Sequence, residues 1–362
     1  MTNALSRSDP GRLNAALLAW YDRQGRALPW RVRPEDRARG VKADPYAVWL
    51  SEIMLQQTTV PHAAPYWHAF LRCWPTVHDL ASAPREDVMA AWAGLGYYAR
   101  ARNMHACARV VSEELGGEFP RDLDALRALP GIGDYTANAI RAAAFDLPAS
   151  VVDGNVERVV ARLFRIETPL PRAKAEIKAA AAGIAASGAR PGDYAQAVMD
   201  LGATVCTPKS PACGICPWRS ACAACDAGVQ TDYPRKERKK PKPVRYGVCF
   251  HLTRDAPGGA ELLLRRRPET GLLGAMMELP GTDWTEEAPA AETIAASAPV
   301  GADWQEAGRV RHVFTHFRIE LDVRTARLAA GDAGPPGRWV SVGALKQAGL
   351  PSVMMKAAKL GL

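Results

Sequence analysis

Cys206, Cys213, Cys216 and Cys222 stand in the Pro-rich stretch CTPKSPACGICPWRSAC, separated by six, two and five residues. Thiolates bind soft metals, and four in one loop can close around either a single tetrahedral zinc or one cubic iron–sulfur cluster. Four-cysteine zinc sites more often come as two C-x-x-C knuckles about 15 residues apart. Here only Cys213 and Cys216 form such a knuckle within the run, so the spacing leans towards the cluster. A disulfide group fits poorly, because Cys73, Cys107, Cys225 and Cys249 are scattered along the chain. Cys225 forms a second C-x-x-C with Cys222 and competes as fourth ligand.

Two further places carry chemistry. In LPGIGDYTANAI, Gly131 and Gly133 make a turn that runs directly into an apolar-periodic helix, leaving backbone N–H groups free at its start. Such a corner accepts a phosphate-sized anion. Downstream, SVVDGNVERVVARLF places Asp153 at a helix N-cap, where backbone donors and the helix dipole keep a carboxylate ionised. Upstream, Glu52 falls mid-helix in DPYAVWLSEIMLQQTTVP, with Val48 and Gln56 on its face, Asp44 as N-cap and Pro45 at the first helical position.

The elements that must position these groups divide the chain in two. Residues 1–228 show apolar spacings of three and four between Pro and Gly stops, the pattern of an all-α domain. The segment TDYPRKERKKPKPVR carries seven basic and two acidic residues and three prolines, which predicts a solvated basic linker over residues 229–244. From residue 245 to 362, stretches such as YGVCFHL and RIELDVR alternate, predicting strands of an α+β domain. A length of 362 residues supports two cores, and a formal net charge of +8 favours a polyanionic partner such as nucleic acid. The apolar run LNAALLAWY is interrupted too soon for a secretory core, and no stretch spans a bilayer, so a cytoplasmic, nucleoid-associated protein is expected.

The hairpin, the V-D-G-N-V segment and the cysteine loop, in that order, resemble the helix-hairpin-helix DNA glycosylases that carry a [4Fe-4S] cluster, the endonuclease III superfamily. LPWR at Leu28–Arg31, WLSEIMLQQT at Trp49–Thr58 and GLGYYARARN at Gly94–Asn103 narrow the resemblance to the MutY-type adenine DNA glycosylases. It covers essentially the whole chain. It implies a multidomain fold: an all-α glycosylase domain with its helix-hairpin-helix at about 122–145 and its iron–sulfur loop at 206–222, then a Nudix-like α+β domain. The implied ligands are Cys206, Cys213, Cys216 and Cys222, and the implied function is hydrolysis of the N-glycosidic bond of adenine opposite 8-oxoguanine or guanine in double-stranded DNA by a monomer.

The residues suit that reaction. Adenine leaves poorly unless protonated, and its departure creates an oxocarbenium-like sugar, so one acid and one anion are needed. Glu52, desolvated against the flipped base, is the expected general acid, and Asp153 the stabiliser or covalent partner of the sugar. Relatives that also cut the backbone carry a Schiff-base lysine where this chain has Tyr135, so a monofunctional enzyme is expected. Tyr135 is expected to hydrogen-bond Asp153 or the sugar, and Asn155 to hold the water or Glu52. Resemblance assigns Arg26, Trp30, Arg31 and Asp200 to the adenine pocket. It assigns Gln57, Leu95 and Tyr97, with Gly131 and Gly133, to wedging and DNA contact, and Arg100, Arg102 and the linker lysines to phosphates. Phe314, Thr315 and His316 stand where the family's Phe-Ser-His loop reads the oxidised guanine. The stretch TEEAPAAETIAASAPV lacks the carboxylate-rich helix of a Nudix hydrolase, so this domain is expected to recognise rather than hydrolyse. Alternatives are an endonuclease III-like enzyme for oxidised pyrimidines and a non-catalytic iron–sulfur DNA-binding protein. The loop at residues 33–43 is longer than the family's usual connection.

Overall fold

The computed structural model describes residues 9–237, 241–268, 271–274, 276–329 and 331–362. Residues 238–240 of the basic linker, and residues 269, 270 and 275 of the Nudix-like opening, lie outside the described residues. The chain separates into two compact units, Met1–Arg238 and Lys239–Leu362.

The first unit is helical, and its helix starts follow from side-chain capping. Asp9, Asp44, Asp122 and Asp153 each accept a hydrogen bond from a backbone N–H in the first turn of the helix that follows, and Pro10 and Pro45 occupy first helical positions. The helices build two cores. One surrounds Pro45–Leu55, whose Trp49, Leu50 and Met54 pack with Phe70, Trp92 and Met104. The other joins Pro10–Gln24, Gly154–Leu163, Lys174–Ala186 and Pro191–Asp200 through Leu17, Val160, Ile177, Val198 and Trp218. A hairpin of Leu123–Ala128 and Asp134–Phe145 turns through Gly131, whose φ of +76° is open to glycine at little cost.

Two local departures prepare the site. Helix Pro191–Asp200 widens into a π-turn over Leu201–Val205 that delivers Cys206, with Cys206 N–H donating to Leu201 C=O at 2.7 Å. Within it, Gly202 lies so close to Asn155 that a Cβ would sit 2.7 Å from the asparagine Cβ. Trp218 Nε1 donates to Leu13 C=O at 2.8 Å and pins the cysteine loop to the first helix.

The basic segment differs from the solvated linker expected over 229–244. Leu170 N–H donates to Arg235 C=O and Glu237 N–H to Leu170 C=O, while Tyr233 is buried. An aromatic and a paired backbone outweigh the charge of the surrounding lysines, so residues through 237 belong to the helical unit. The loop at 33–43 contains a short helix, Pro34–Ala38, anchored by Arg37, which pairs with the buried Asp193 at 3.3 Å.

The second unit is a mixed sheet. Strands β1 (Val244–Ala256), β2 (Gly259–Arg266), β3 (Met277–Glu278), β4 (Gln305–Val313), β5 (Arg318–Arg327) and β6 (Arg338–Ser341) lie in the order β3-β2-β1-β5-β4, with β6 also on β2. β1 and β5 run parallel from Val244↔Arg318 to Thr253↔Arg327; the other pairs are antiparallel. Helix Ser352–Leu360 adds Val353, Met354, Ala357 and Ala358 to a core with Leu321 and Val323. Helix Ala291–Ser297 carries one carboxylate, Glu292.

Gly131→Ala should be costly, because the new Cβ meets Asn103 Cβ at 2.8 Å and the backbone is left-handed. A loss of about 1–3 kcal/mol is expected in urea unfolding; wild-type stability would show that the hairpin tolerates a side chain there.

Candidate active site

A cavity of about 730 Å³ opens between the two helical cores. Glu52 and Val48 reach it from helix Pro45–Leu55 and Gln56 from just past its end, Tyr135 from the hairpin, Asp153 and Asn155 from the start of Gly154–Leu163, and Met199 from Pro191–Asp200. The sequence-predicted acid and anion therefore share one space. Desolvation lifts the Glu52 pKa to about 7, against the opposing Arg31 charge and a Tyr135 hydrogen bond, with Asp153 adding to the rise.

Asp153 is held at both oxygens. Oδ1 accepts from Val156 N–H at 2.7 Å and Oδ2 from Asn155 Nδ2 at 3.0 Å. Asn155 is itself oriented by Arg158, whose Nη2 donates to Asn155 Oδ1 at 3.0 Å and to Gly202 C=O at 2.7 Å. Arg158 Nε donates to Cys206 C=O at 2.8 Å, so one guanidinium links the Asp153 corner to the first cysteine of the loop. Asn155 thus holds Asp153 rather than Glu52. The Tyr135 hydroxyl donates to Met199 Sδ at 3.3 Å and bears on Glu52.

The cysteine loop closes on a second, small cavity lined by Cys206, Cys213, Cys216, Cys222 and Cys225. Arg162, almost wholly buried, donates to the carbonyls of Thr207, Pro208 and Tyr233 and to Cys206 Sγ. Four thiols around one cavity fit the cysteine-only donor set of an iron–sulfur cluster. Burial and neighbouring cysteines push the Cys213 thiol up to about 11 and the Cys216 thiol to about 12.

Residues 50–183 match the HhH-GPD superfamily of base excision DNA repair proteins, residues 206–222 the iron–sulfur binding domain of endonuclease III, and residues 252–360 the NUDIX domain. The adenine DNA glycosylase of Homo sapiens is 35% identical over 399 residues, spanning 95% of this chain and 73% of that protein. The chain belongs to the adenine DNA glycosylases. The adenine DNA glycosylase of Mycolicibacterium smegmatis is 44% identical over 210 residues, 57% of this chain and 69% of that protein. A solved thermostable thymine-DNA glycosylase superposes with a TM-score of 0.51 at 27% identity, covering 59% of this chain and 95% of that one.

This adenine DNA glycosylase is a base-excision-repair N-glycosylase that binds DNA and carries a [4Fe-4S] cluster and a C-terminal Nudix-like domain. Cys206, Cys213, Cys216 and Cys222, which all line the small cavity, would hold the cluster and so tie the loop together. Among the described residues no helix is long and apolar enough to cross a membrane.

Several side chains sit differently from their sequence-based assignments. Arg26, Trp30 and Arg31 line the cavity, but Asp200 does not: it is fully buried behind the arginines. Arg26 Nε and Arg31 Nη1 and Nη2 donate to its carboxylate at 2.6, 2.8 and 3.0 Å. Leu95 is 5% exposed and belongs to the core around Trp92, so it presents no wedge. Arg100 is not a free phosphate contact, because its guanidinium donates to the carbonyls of Ile53, Met54, Gln56, Leu95 and Gly96. It satisfies the end of the Glu52 helix, whose last carbonyls otherwise lack partners. Gln57 and Tyr97 do point outward, each with a left-handed φ (59° and 49°), and Tyr97 is 60% exposed. Such strained non-glycine positions cluster at functional sites. Gly131 and Gly133 lie exposed at the hairpin tip.

In the Nudix-like unit, Thr315 and His316 are exposed at the β4–β5 turn. Phe314 N–H donates to Phe317 C=O at 2.8 Å, its ring packs on His312, Trp284 and Phe317, and Lys242 Nζ donates to its carbonyl at 2.6 Å. The described part of the basic segment thus supports this loop.

Sequence reasoning missed Met199, Arg158 and Arg162. A signal existed for the two arginines: they lie one turn apart on the Asp153 helix, both on its buried side. Asp200→Asn leaves two arginines facing an uncharged group in a buried position, and urea unfolding should register a loss of about 3–5 kcal/mol. Adding Arg31→Met should recover part of it; an Asp200→Asn protein as stable as wild type would mean that the triad carries no buried charge.

Proposed function

We propose that this glycosylase removes adenine opposite 8-oxoguanine or guanine, with Glu52 as general acid and Asp153 as the anion facing the sugar cation. The observation that carries the reading is the Glu52 carboxyl, lifted to about 7 by desolvation inside a cavity that also contains Asp153. An acid with that pKa is half protonated near neutral pH and can give its proton to the departing base, an effect worth about 10²–10⁴ in rate. Asp153, held by Val156 N–H and Asn155, needs little reorganisation as positive charge grows on the sugar, which it stabilises or bonds covalently. Tyr135 adjusts Glu52 through its hydroxyl, and its phenol forms no imine, so the product is an abasic site in an uncut strand.

Trp30 offers a ring face and Arg26 and Arg31 offer donors for the extruded adenine, with Asp200 fixing the arginine forks. Tyr97 and Gln57 fill the gap left in the duplex, at a flipping cost of a few kcal/mol. Hairpin amides at Gly131 and Gly133 take a phosphate. Thr315 contacts the oxidised guanine, flanked by Phe314 and His316, and supports a preference for 8-oxoguanine. The enzyme acts as a monomer, and its net charge of +8 suits a cytoplasmic, nucleoid-associated repair enzyme.

The test is single-turnover excision from a duplex with one adenine opposite 8-oxoguanine, read as strand breaks with and without alkali. Wild type should break the strand only after alkali, and its rate should fall as pH rises through about 7, because the protonated form is the active one. Glu52→Gln should be slower by about 10²–10⁴. Full activity in Glu52→Gln, or a covalent adduct trapped by borohydride, would overturn the assignment.

A further inference from the structure

Five cysteines, not four, line the cluster cavity. The fifth, Cys225, lies on the single helical turn Ala223–Asp226 that follows Cys222, and the iron–sulfur domain match ends before it. Its thiol lies beside that of Cys213 in the wall of this cavity, close also to Cys222. The remaining cysteines are elsewhere: Cys107 and Cys249 are buried in other cores, and Cys73 ends helix Val60–Cys73.

The four matched ligands are unequally anchored. Cys206 is fixed through Arg158 and Arg162, Cys222 bonds to Arg162 C=O at 3.4 Å, and Cys216 adjoins the buried Trp218. Cys213 sits on the short 3-10 turn Cys213–Ile215, between exposed Ala212 and Gly214, with Ile215 68% exposed. It is the least anchored of the four, and the Cys225 thiol lies beside it.

We propose that Cys225 is a reserve ligand, placed to take over the iron held by Cys213 when Cys213 is lost or modified. The exchange needs no oxidant or reductant. One iron–sulfur bond to Cys213 breaks, one to Cys225 forms, and the Cys225 thiol proton passes to the released Cys213 thiolate or, where Cys213 is missing or blocked, to water. The iron keeps its oxidation state. A thiol too far from the cavity could not do this, and three anchored ligands keep the core in place during the swap.

The test uses full-length protein with Cys213→Ala, Cys225→Ala, the double variant, and Cys216→Ala as a control that Cys225 cannot rescue. Iron and acid-labile sulfide per chain and the visible charge-transfer absorbance are measured, together with alkylation of Cys225. Cys225→Ala should keep wild-type iron. Cys213→Ala should keep most of it, with Cys225 protected from alkylation, while the double variant and Cys216→Ala should lose it. The proposal is overturned if Cys213→Ala is as iron-depleted or insoluble as the double variant, if it holds iron while Cys225 stays reactive, or if Cys225→Ala alone loses iron.

Discussion

A carboxyl group that remains an acid at neutral pH has to be kept from water, and the helical unit is arranged around meeting that condition at Glu52. The residue is borne on Pro45–Leu55, a helix so apolar that Trp49, Leu50 and Met54 vanish into the core on its other sides. The remaining side faces the cavity between the two cores, which leaves Glu52 half-buried. Desolvation there exceeds the pull of Arg31 and of Tyr135, and Asp153 adds to it, which together place the group at about 7. If Asp200 did not neutralise Arg31, that positive charge would press Glu52 further towards its ionised form.

The opposite carboxylate is governed by a different device. Asp153 caps a helix, so its position follows the helix axis, and Asn155 and Arg158 extend the support to Gly202 and Cys206. The π-turn over Leu201–Val205 lets the backbone approach Asn155, and a glycine is required at the contact. Through this chain of hydrogen bonds the iron–sulfur loop acts as a brace for the anion. Arg158 and Arg162 thus connect the cysteine loop mechanically to the Asp153 helix.

Local spacing made much of this legible. Asp44 and Asp153 are readable as caps because capping joins residues two or three apart, and the cysteine run announces a metal loop for the same reason. The two-unit organisation followed from a change of hydrophobic period near residue 245. What escaped was set by distant packing. Met199 meets Tyr135 across 64 positions of sequence, and Arg158 meets Gly202 across 44. Leu95, assigned to DNA contact by resemblance, turns into the core with Trp92. Arg100 looked like a phosphate ligand because no sequence rule shows that the carbonyls at the end of the Glu52 helix would claim it. Tyr233, in a run dominated by charge, was enough to draw the segment down to residue 237 onto the helical unit.

The central claim is that burial keeps Glu52 protonated close to neutral pH. The most direct measurement is the titration of that one carboxyl, followed by carbon-13 NMR in protein labelled at glutamate, with Glu52→Gln used to assign the signal. The account predicts a midpoint near pH 7. A midpoint near the ordinary glutamate value of about 4.3 would contradict it, since Glu52 would then be ionised throughout the neutral range and unable to serve as the acid.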